Sequence, residues 1–320
     1  MPSANRPRSP KPSESPLLVI AGPTASGKSA LAVSAARRLG GEIVNCDSMQ
    51  LIRGMDVGTA KPTPAERAAA PHHLYDLIDP DQRYSAGRYM HEARAVCREI
   101  ASRGKVPIVV GGTGLYLRAL LEGLFEGPGR DPELRRRLRR IAQRRGDPAL
   151  HRMLARHDPK AASRIAAGDR IRVIRALEVH FASGTTITSL QPRRVALEGF
   201  RVFKAALELP RPLLYERINR RVRAMFAHGL PEEVLSLLER GFAPDCKGFE
   251  ALGYRHALAL VQGLIGLEEA IELTARDTRR YAKRQMTWFR KERDVHWIAG
   301  PGERPEALDE LLSHAGPFCG

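Results

Sequence analysis

Gly22, Pro23, Thr24, Ala25, Ser26, Gly27, Lys28 and Ser29 stand in the spacing G-x-x-x-x-G-K-S. The two glycines let the backbone curl until consecutive N–H groups point at one anion. Lys28 adds a point charge, and Ser29 offers a hydroxyl to Mg²⁺. That set captures a diphosphate or triphosphate; the bland alternative is a glycine turn that binds nothing. Asp47 follows an apolar run, where a carboxylate is costly to bury unless it is paired or used. It can cap the next helix, hold Mg²⁺ or act as a base. Thr113 lies among Gly111, Gly112 and Gly114, where little crowds its hydroxyl, or it belongs to a plain turn. Arg217 and Arg221 are four apart, with Arg220 beside them. On a helix that spacing puts two guanidiniums on one face, suited to clamping a diphosphate or to meeting solvent.

These groups need elements to hold them. Residues 17–21 (LLVIA) have the length and uninterrupted apolar character of a buried parallel strand. Residues 30–39 carry a helical pattern that Gly40 and Gly41 stop. Strand candidates at 42–46 and 106–110 end at Asp47 and at the Thr113 glycines. Strands alternating with helices form a parallel sheet, whose ligands sit at the carboxyl ends of the strands. The expected fold is therefore α/β, a P-loop NTPase-like parallel sheet flanked by helices, with an all-helical insertion. Helical spacing also marks 84–103. Residues 126–129 (EGPG) break the pattern, and 131–184 are helical and rich in arginine throughout. A strand at 200–209 and helices at 213–227, 232–240 and 268–290 follow, with a short strand at Trp297. The expected division is a disordered Pro/Ser-rich tail (1–16), a discontinuous core domain (17–127 and 197–300), a helical insertion (128–196) and a C-terminal tail (301–320). His72 and His73 lack a metal-ligand partner at suitable spacing and read as structural or substrate-facing. Trp288 and Phe289 read as core.

The formal net charge is +16, and 43 of the 52 basic residues are arginines. Such an excess fits a polyanionic partner, unless arginine merely decorates solvated faces. Residues 135–145 (RRRLRRIAQRR) and 170–175 (RIRVIR) concentrate it on helical segments suited to a phosphate backbone. Residues 278–285 (TRRYAKRQ) alternate basic and aromatic side chains, as nucleic-acid surfaces do. Four scattered cysteines without a C-x-x-C pair argue against a zinc module or a disulfide framework and fit a reducing cytoplasm. No apolar run reaches membrane-spanning length. Nor does any apolar strand end in the Asp-Glu or Asp-x-x-Gly of a separate Walker B, so the loop reads as holding a pyrophosphate that departs.

The motifs GPTASGKS (22–29), NCDSMQLIRGMDVGTAKP (45–62), PHHLYDLIDP (71–80), YSAGRY (84–89), VVGGTGLYLRALLEGL (109–124), RVIRALEV (172–179), ALGYRH (251–256) and TRRYAKRQMTWFR (278–290) together resemble the bacterial tRNA dimethylallyltransferases. The resemblance runs from about residue 17 to residue 298. It implies transfer of a dimethylallyl group from dimethylallyl diphosphate to N6 of adenosine-37 beside the anticodon. It also implies Mg²⁺ as cofactor, held with Ser29, and a monomer in the cytoplasm whose macromolecular partner is the tRNA anticodon stem-loop. Gly22–Ser29 and Arg221 would bind the diphosphate, Asp47 would be the general base, and Thr113 would orient the reacting groups. Arg217 would neutralise the leaving pyrophosphate, with Arg220 and Arg221 competing for that role. Asp47, Ser48, Met49, Gln50, Arg135, Ile171, Arg172, Val173, Ile174, Arg175, Glu250, Ala251, Leu252, Gly253, Tyr254, Arg255, Arg279, Arg280, Lys283 and Arg284 would meet tRNA. The family's loop usually ends in threonine, and Ser29 keeps the hydroxyl. Two other readings stay open, a small-molecule P-loop kinase that would bind ATP and a related enzyme prenylating free AMP, ADP or ATP.

Overall fold

The computed structural model describes residues 14–319. Its first strand, β1 (Ser15–Ala21), is almost wholly buried from Leu17 onward and runs into the glycine loop. Helix α1 (Lys28–Leu39) starts after Gly27, whose φ of 92° is left-handed, and ends at Gly40 in the same region. Strand β2 (Glu42–Asn45), helix α2 (Pro64–Ala69), strand β3 (His72–His73), helix α3 (Ala86–Ser102), strand β4 (Pro107–Gly111) and helix α4 (Gly114–Glu122) follow. A run of helices comes next: α5 (Pro132–Arg145), α6 (Asp147–His157), α7 (Pro159–Ala162), α8 (Arg170–Ser183) and α9 (Ile187–Leu190). The chain closes with β5 (Phe200–Glu208), α10 (Arg211–Ala227), α11 (Leu230–Glu239), α12 (Tyr254–Val261), α13 (Leu267–Phe289), β6 (Val295–Ala299) and α14 (Pro305–Cys319).

The six strands among the described residues join one sheet in the order β3-β2-β4-β1-β5-β6, and every pairing is parallel. Crossover helices cover both faces, so the central strands are apolar end to end. The expected parallel sheet flanked by helices is what forms. Because β1 lies between β4 and β5, the loops after β1 and β4 open side by side. That places the glycine loop next to Thr113 at the carboxyl edge of the sheet.

The chain divides into two compact units, one of Met1–Leu120 with Leu197–Gly320 and one of Leu121–Ala196. The second is wholly helical among its regular elements. It has its own core, in which Leu138, Leu150, Leu154, Val173 and Leu177 are nearly inaccessible. Asp131 caps α5 by accepting from the Glu133 and Leu134 N–H groups, as a short acidic side chain does at a helix start.

Two expectations need correction, and one left open between two readings is decided. Ser15 and Pro16 belong to β1 rather than to a tail, and the tail expected over residues 1–13 lies outside the described residues. The stretch after residue 300 is no tail. It holds α14, which buries Ala307, Leu311 and Ala315 against α1, β1, β5 and β6. His72 and His73 form a short edge strand. The His73 ring pairs with Glu42 at 2.7 Å and the His72 ring with the Ala70 carbonyl at 2.7 Å, so both act structurally.

Candidate active site

The glycine loop is held in a shape that few residues adopt. Gly22, Ala25 and Gly27 all have positive φ, at 143°, 63° and 92°. A side chain on Gly22 would press on Ser26 Oγ and on the Leu207 backbone at 3.2–3.3 Å, so only glycine fits there. Lys28 Nζ donates to the Pro23 carbonyl at 3.1 Å, which folds the ammonium back over the loop. Ser26 Oγ is buried with no protein partner, a polar atom aimed into the curl of the loop. Removal from water lowers Lys28 to about 8; Asp47 opposes that shift and Arg221 adds to it. Burial likewise lowers Arg221, which stays a cation at any ordinary pH. Arg217 reaches in from α10, its Nε donating to the Ala25 carbonyl at 2.8 Å while its far edge pairs with Glu303.

The turn after β2 is equally fixed. The buried Asn45 accepts from the Asp47 N–H at 2.9 Å and donates to the Asp47 and Leu74 carbonyls at 3.1 and 2.9 Å. Asp47 Oδ1 accepts from the Met49 N–H at 2.9 Å, which fixes the direction of the carboxylate. Thr113 Oγ1 accepts from the Ser48 N–H at 3.1 Å, and the Thr113 N–H donates to the Cys46 carbonyl at 3.2 Å. Thr113 therefore braces the turn that carries Asp47. The adjoining glycines allow the close approach, since a side chain on Gly111 would strike the Cys46 carbonyl and one on Gly112 the Gln285 amide.

Gln285, on α13, ties the two loops together. Its Oε1 accepts from the Thr24 N–H and its Nε2 donates to the Gly112 carbonyl, both at 2.9 Å. No local sequence pattern singles it out, because its partners are set only by the fold. The same holds for Glu303, which follows β6 and lies over Gly27.

These parts surround one crevice with two halves. The half of about 490 Å³ is lined by Lys28, Ser29, Arg217, Arg220, Arg221 and Glu303 among others. The half of about 300 Å³ presents Met49, Ile218, Met225, Leu252, Tyr281 and Arg284. Thr24, Ala25, Asp47, Thr59 and Arg221 border both. The cationic half suits a diphosphate, the mixed apolar and basic half suits a nucleobase with its phosphate, and a carboxylate stands at their junction. The Ser29 hydroxyl that lines the first half is a hard oxygen donor, the kind that a magnesium ion takes.

The residues expected to meet nucleic acid divide sharply. Ser48, Met49, Glu250, Ala251, Leu252, Gly253, Arg255 and Arg284 line the second half of the crevice. Gln50 instead borders the phosphate half and anchors the Thr59 and Ala60 carbonyls at 3.1 and 2.9 Å. Arg279 holds Asn219 at 2.6 Å, Arg280 leans on Asp277, and Lys283 faces a separate groove with Tyr215 and Trp297. Tyr254 is fully buried with its hydroxyl on Glu233, which also accepts from the Asp56 and Val57 N–H groups. It positions the 54–61 loop and cannot touch a partner with its side chain. In the helical unit Ile171 and Arg172 are exposed, whereas Val173 and Ile174 lie in its core. Arg135 and Arg175 grip Glu178, which is 0% exposed; Arg135 approaches within 2.6 Å and Arg175 within 2.7 Å. Those hydrogen bonds hold the Glu178 carboxyl down at about 2 against the upward pull of burial. Arg135 thus buttresses the core of this unit, since a buried carboxylate needs its partners.

An IPP transferase family profile matches residues 50–292, and an isopentenyl transferase profile matches residues 15–75. The chain is similar to the tRNA dimethylallyltransferase of Geobacter sulfurreducens, 48% identical over 96% of this chain and 98% of the relative. It is 53% identical to that of Anaeromyxobacter dehalogenans strain 2CP-C over 91% of this chain and 97% of the relative. Among solved structures it matches the full-length tRNA isopentenylpyrophosphate transferase of Bacillus halodurans with a TM-score of 0.71 at 38% identity, covering 96% and 97% of the two chains. It matches a eukaryotic dimethylallyltransferase acting on tRNA with a TM-score of 0.74 at 27% identity, covering 95% of this chain and 77% of that one.

Proposed function

This chain belongs to the IPP transferase family, whose relatives include tRNA dimethylallyltransferases, and on that premise we propose how its crevice performs the transfer. The enzyme moves a dimethylallyl group onto tRNA. Dimethylallyl diphosphate lies with its diphosphate in the cationic half, and N6 of adenosine-37 enters from the other half. The single observation that supports this most is the place of Asp47, on the border that both halves share.

As the allylic C–O bond breaks, charge builds on the departing diphosphate. Loop N–H groups, Lys28, Arg217 and Arg221 meet that charge as it develops, which is where such interactions lower a barrier most. Bound Mg²⁺ would neutralise part of the same charge, held by Ser29 and diphosphate oxygens. Adenine N6 is a poor nucleophile, and Asp47 takes its proton while the N6–C1 bond forms. Thr113 keeps the Asp47 turn in place through the Ser48 N–H. The target base must leave the stack of the anticodon loop to reach this depth. Exposed arginines of α5, among them Arg136, Arg139 and Arg140, offer charge to tRNA phosphates. The protein works as a cytoplasmic monomer on this reading. Among the described residues no helix is long and apolar enough to cross a membrane.

Asp47→Asn tests the assignment, since it keeps the shape and removes the proton acceptor. The rate of prenyl transfer to an anticodon stem-loop should fall roughly 10²–10⁴-fold with diphosphate affinity kept. A raised Mg²⁺ requirement with a normal rate at saturation would make Asp47 a metal ligand instead. Prenylation of free AMP as fast as of tRNA would overturn the choice of substrate.

A further inference from the structure

Two acidic side chains besides Asp47 border the cationic half, and one of them, Glu66, is taken up by the Thr63 cap of α2. Glu303 belongs to the short connection between β6 and α14, and that connection is pinned to the glycine loop. The Gly302 N–H donates to the Ser26 carbonyl at 2.9 Å, and a side chain on Gly302 would collide with the Gly27 carbonyl at 2.6 Å. A side chain on Gly27 would in turn run into the Glu303 carboxylate. From there the carboxylate pairs with Arg217, and it lines the crevice together with Lys28, Arg220 and Arg221.

Lys28, Arg217, Arg220 and Arg221 share this half with the Asp47 carboxylate, while Lys61 is already paired with Asp56 and Asp76, and the remaining excess of positive charge favours a further anion. Glu303 supplies an anion from the protein itself and binds the guanidinium edge that a diphosphate would need. Arg217 is held from two sides, by Ala25 through Nε and by Glu303 through Nη2. The second partner carries a charge of the same sign as the substrate. Resting on the reading of this half as the diphosphate site, we propose that Glu303 is a built-in competitor for Arg217. It keeps the guanidinium docked while the site is empty, yields it to the incoming diphosphate, and takes it back as pyrophosphate leaves. Glu303 thus sets the affinity for diphosphate and hastens product release, and it does so from outside the recognised motifs.

Titration of inorganic pyrophosphate into the full-length protein, with and without Mg²⁺, tests this in wild type, Glu303→Gln, Arg217→Gln and the double variant. Glu303→Gln should bind pyrophosphate about tenfold more tightly and release it more slowly. On the Arg217→Gln background the same change should have no effect, a coupling that a merely structural role for Glu303 would not produce. Unchanged or weaker binding by Glu303→Gln, or a gain that survives loss of Arg217, would overturn the proposal. Weakening seen only with Mg²⁺ would also overturn it, by making Glu303 a metal ligand. A wild-type protein that takes up no pyrophosphate, with Lys28→Ala no different, would overturn the diphosphate site itself.

Discussion

Because burial holds Lys28 near 8, the ammonium over the glycine loop begins to lose its proton only a little above neutral pH. The sign is definite. Below about 8 the free enzyme carries the charge, and as pH rises through that value the charge is lost. A bound diphosphate favours the charged form, so its presence moves the transition upward. We therefore expect kcat/KM for dimethylallyl diphosphate to decline above about pH 8, while kcat holds to more alkaline values. Parallel pH profiles of the two constants check this, and a kcat/KM that stays flat far into the alkaline range would refute it. Lys28, Ser29, Asp47, Thr113 and Arg217 were legible because each lies in a pattern a few residues long. Gln285 and Glu303 were not. Gln285 meets Thr24 across 261 residues of chain, a partnership that no local spacing encodes.

At the scale of elements, α13 is the strut of the site. Tyr281 and Arg284 face the crevice, Ala282 and Phe289 are buried, and Gln285 bonds both loops. Gln285→Ala would leave the Thr24 N–H and the Gly112 carbonyl without their partner. Each such orphan costs about 1–3 kcal/mol when buried, and here the loss falls on the register between the diphosphate loop and the turn that Thr113 braces. The expected result is a raised KM for dimethylallyl diphosphate and a kcat lowered roughly 10²-fold, with tRNA affinity retained. Steady-state kinetics beside a tRNA-binding isotherm separates these effects; equal loss in both would mean that α13 had simply come loose. The long helices and β1, β4 and β5 were readable from period and length. Strand β3, two residues long, is too short to display any period. In α14 the inward positions Ala307 and Ala315 flank Leu311, and alanines make a weak apolar stripe.

Over the whole molecule, charge alone overstated the surface available to tRNA. Many arginines are engaged by carboxylates, as in Arg53 with Asp79, Arg103 with Glu42 and Arg170 with Asp147. Those that remain exposed on α5 are the ones to test. Replacing Arg139 and Arg140 by alanine should weaken tRNA binding and flatten the plot of log K against log[salt] by about 0.9 for each phosphate that the protein no longer neutralises. Discrimination among anticodon loops should survive, since phosphate contacts position and base contacts specify. Binding measured from low to physiological salt decides it, and an unaltered slope would place the tRNA elsewhere. Composition announced a polyanion partner; only side-chain pairing shows which arginines are free to meet it.

The order of strands also bears on how the protein is made. Synthesis delivers β1 and the glycine loop first, yet β1 receives its second neighbour only when Phe200 and the residues after it arrive. Thr24 then waits for Gln285, and Gly27 for Gly302 and Glu303. The helical unit draws its core from its own stretch of chain and can settle meanwhile. The anion cradle, made before the other strands of the sheet, is thus completed by residues that follow all of them. A message cut short anywhere before the codon for Glu303 yields a chain with the signature of the enzyme and an unfinished site.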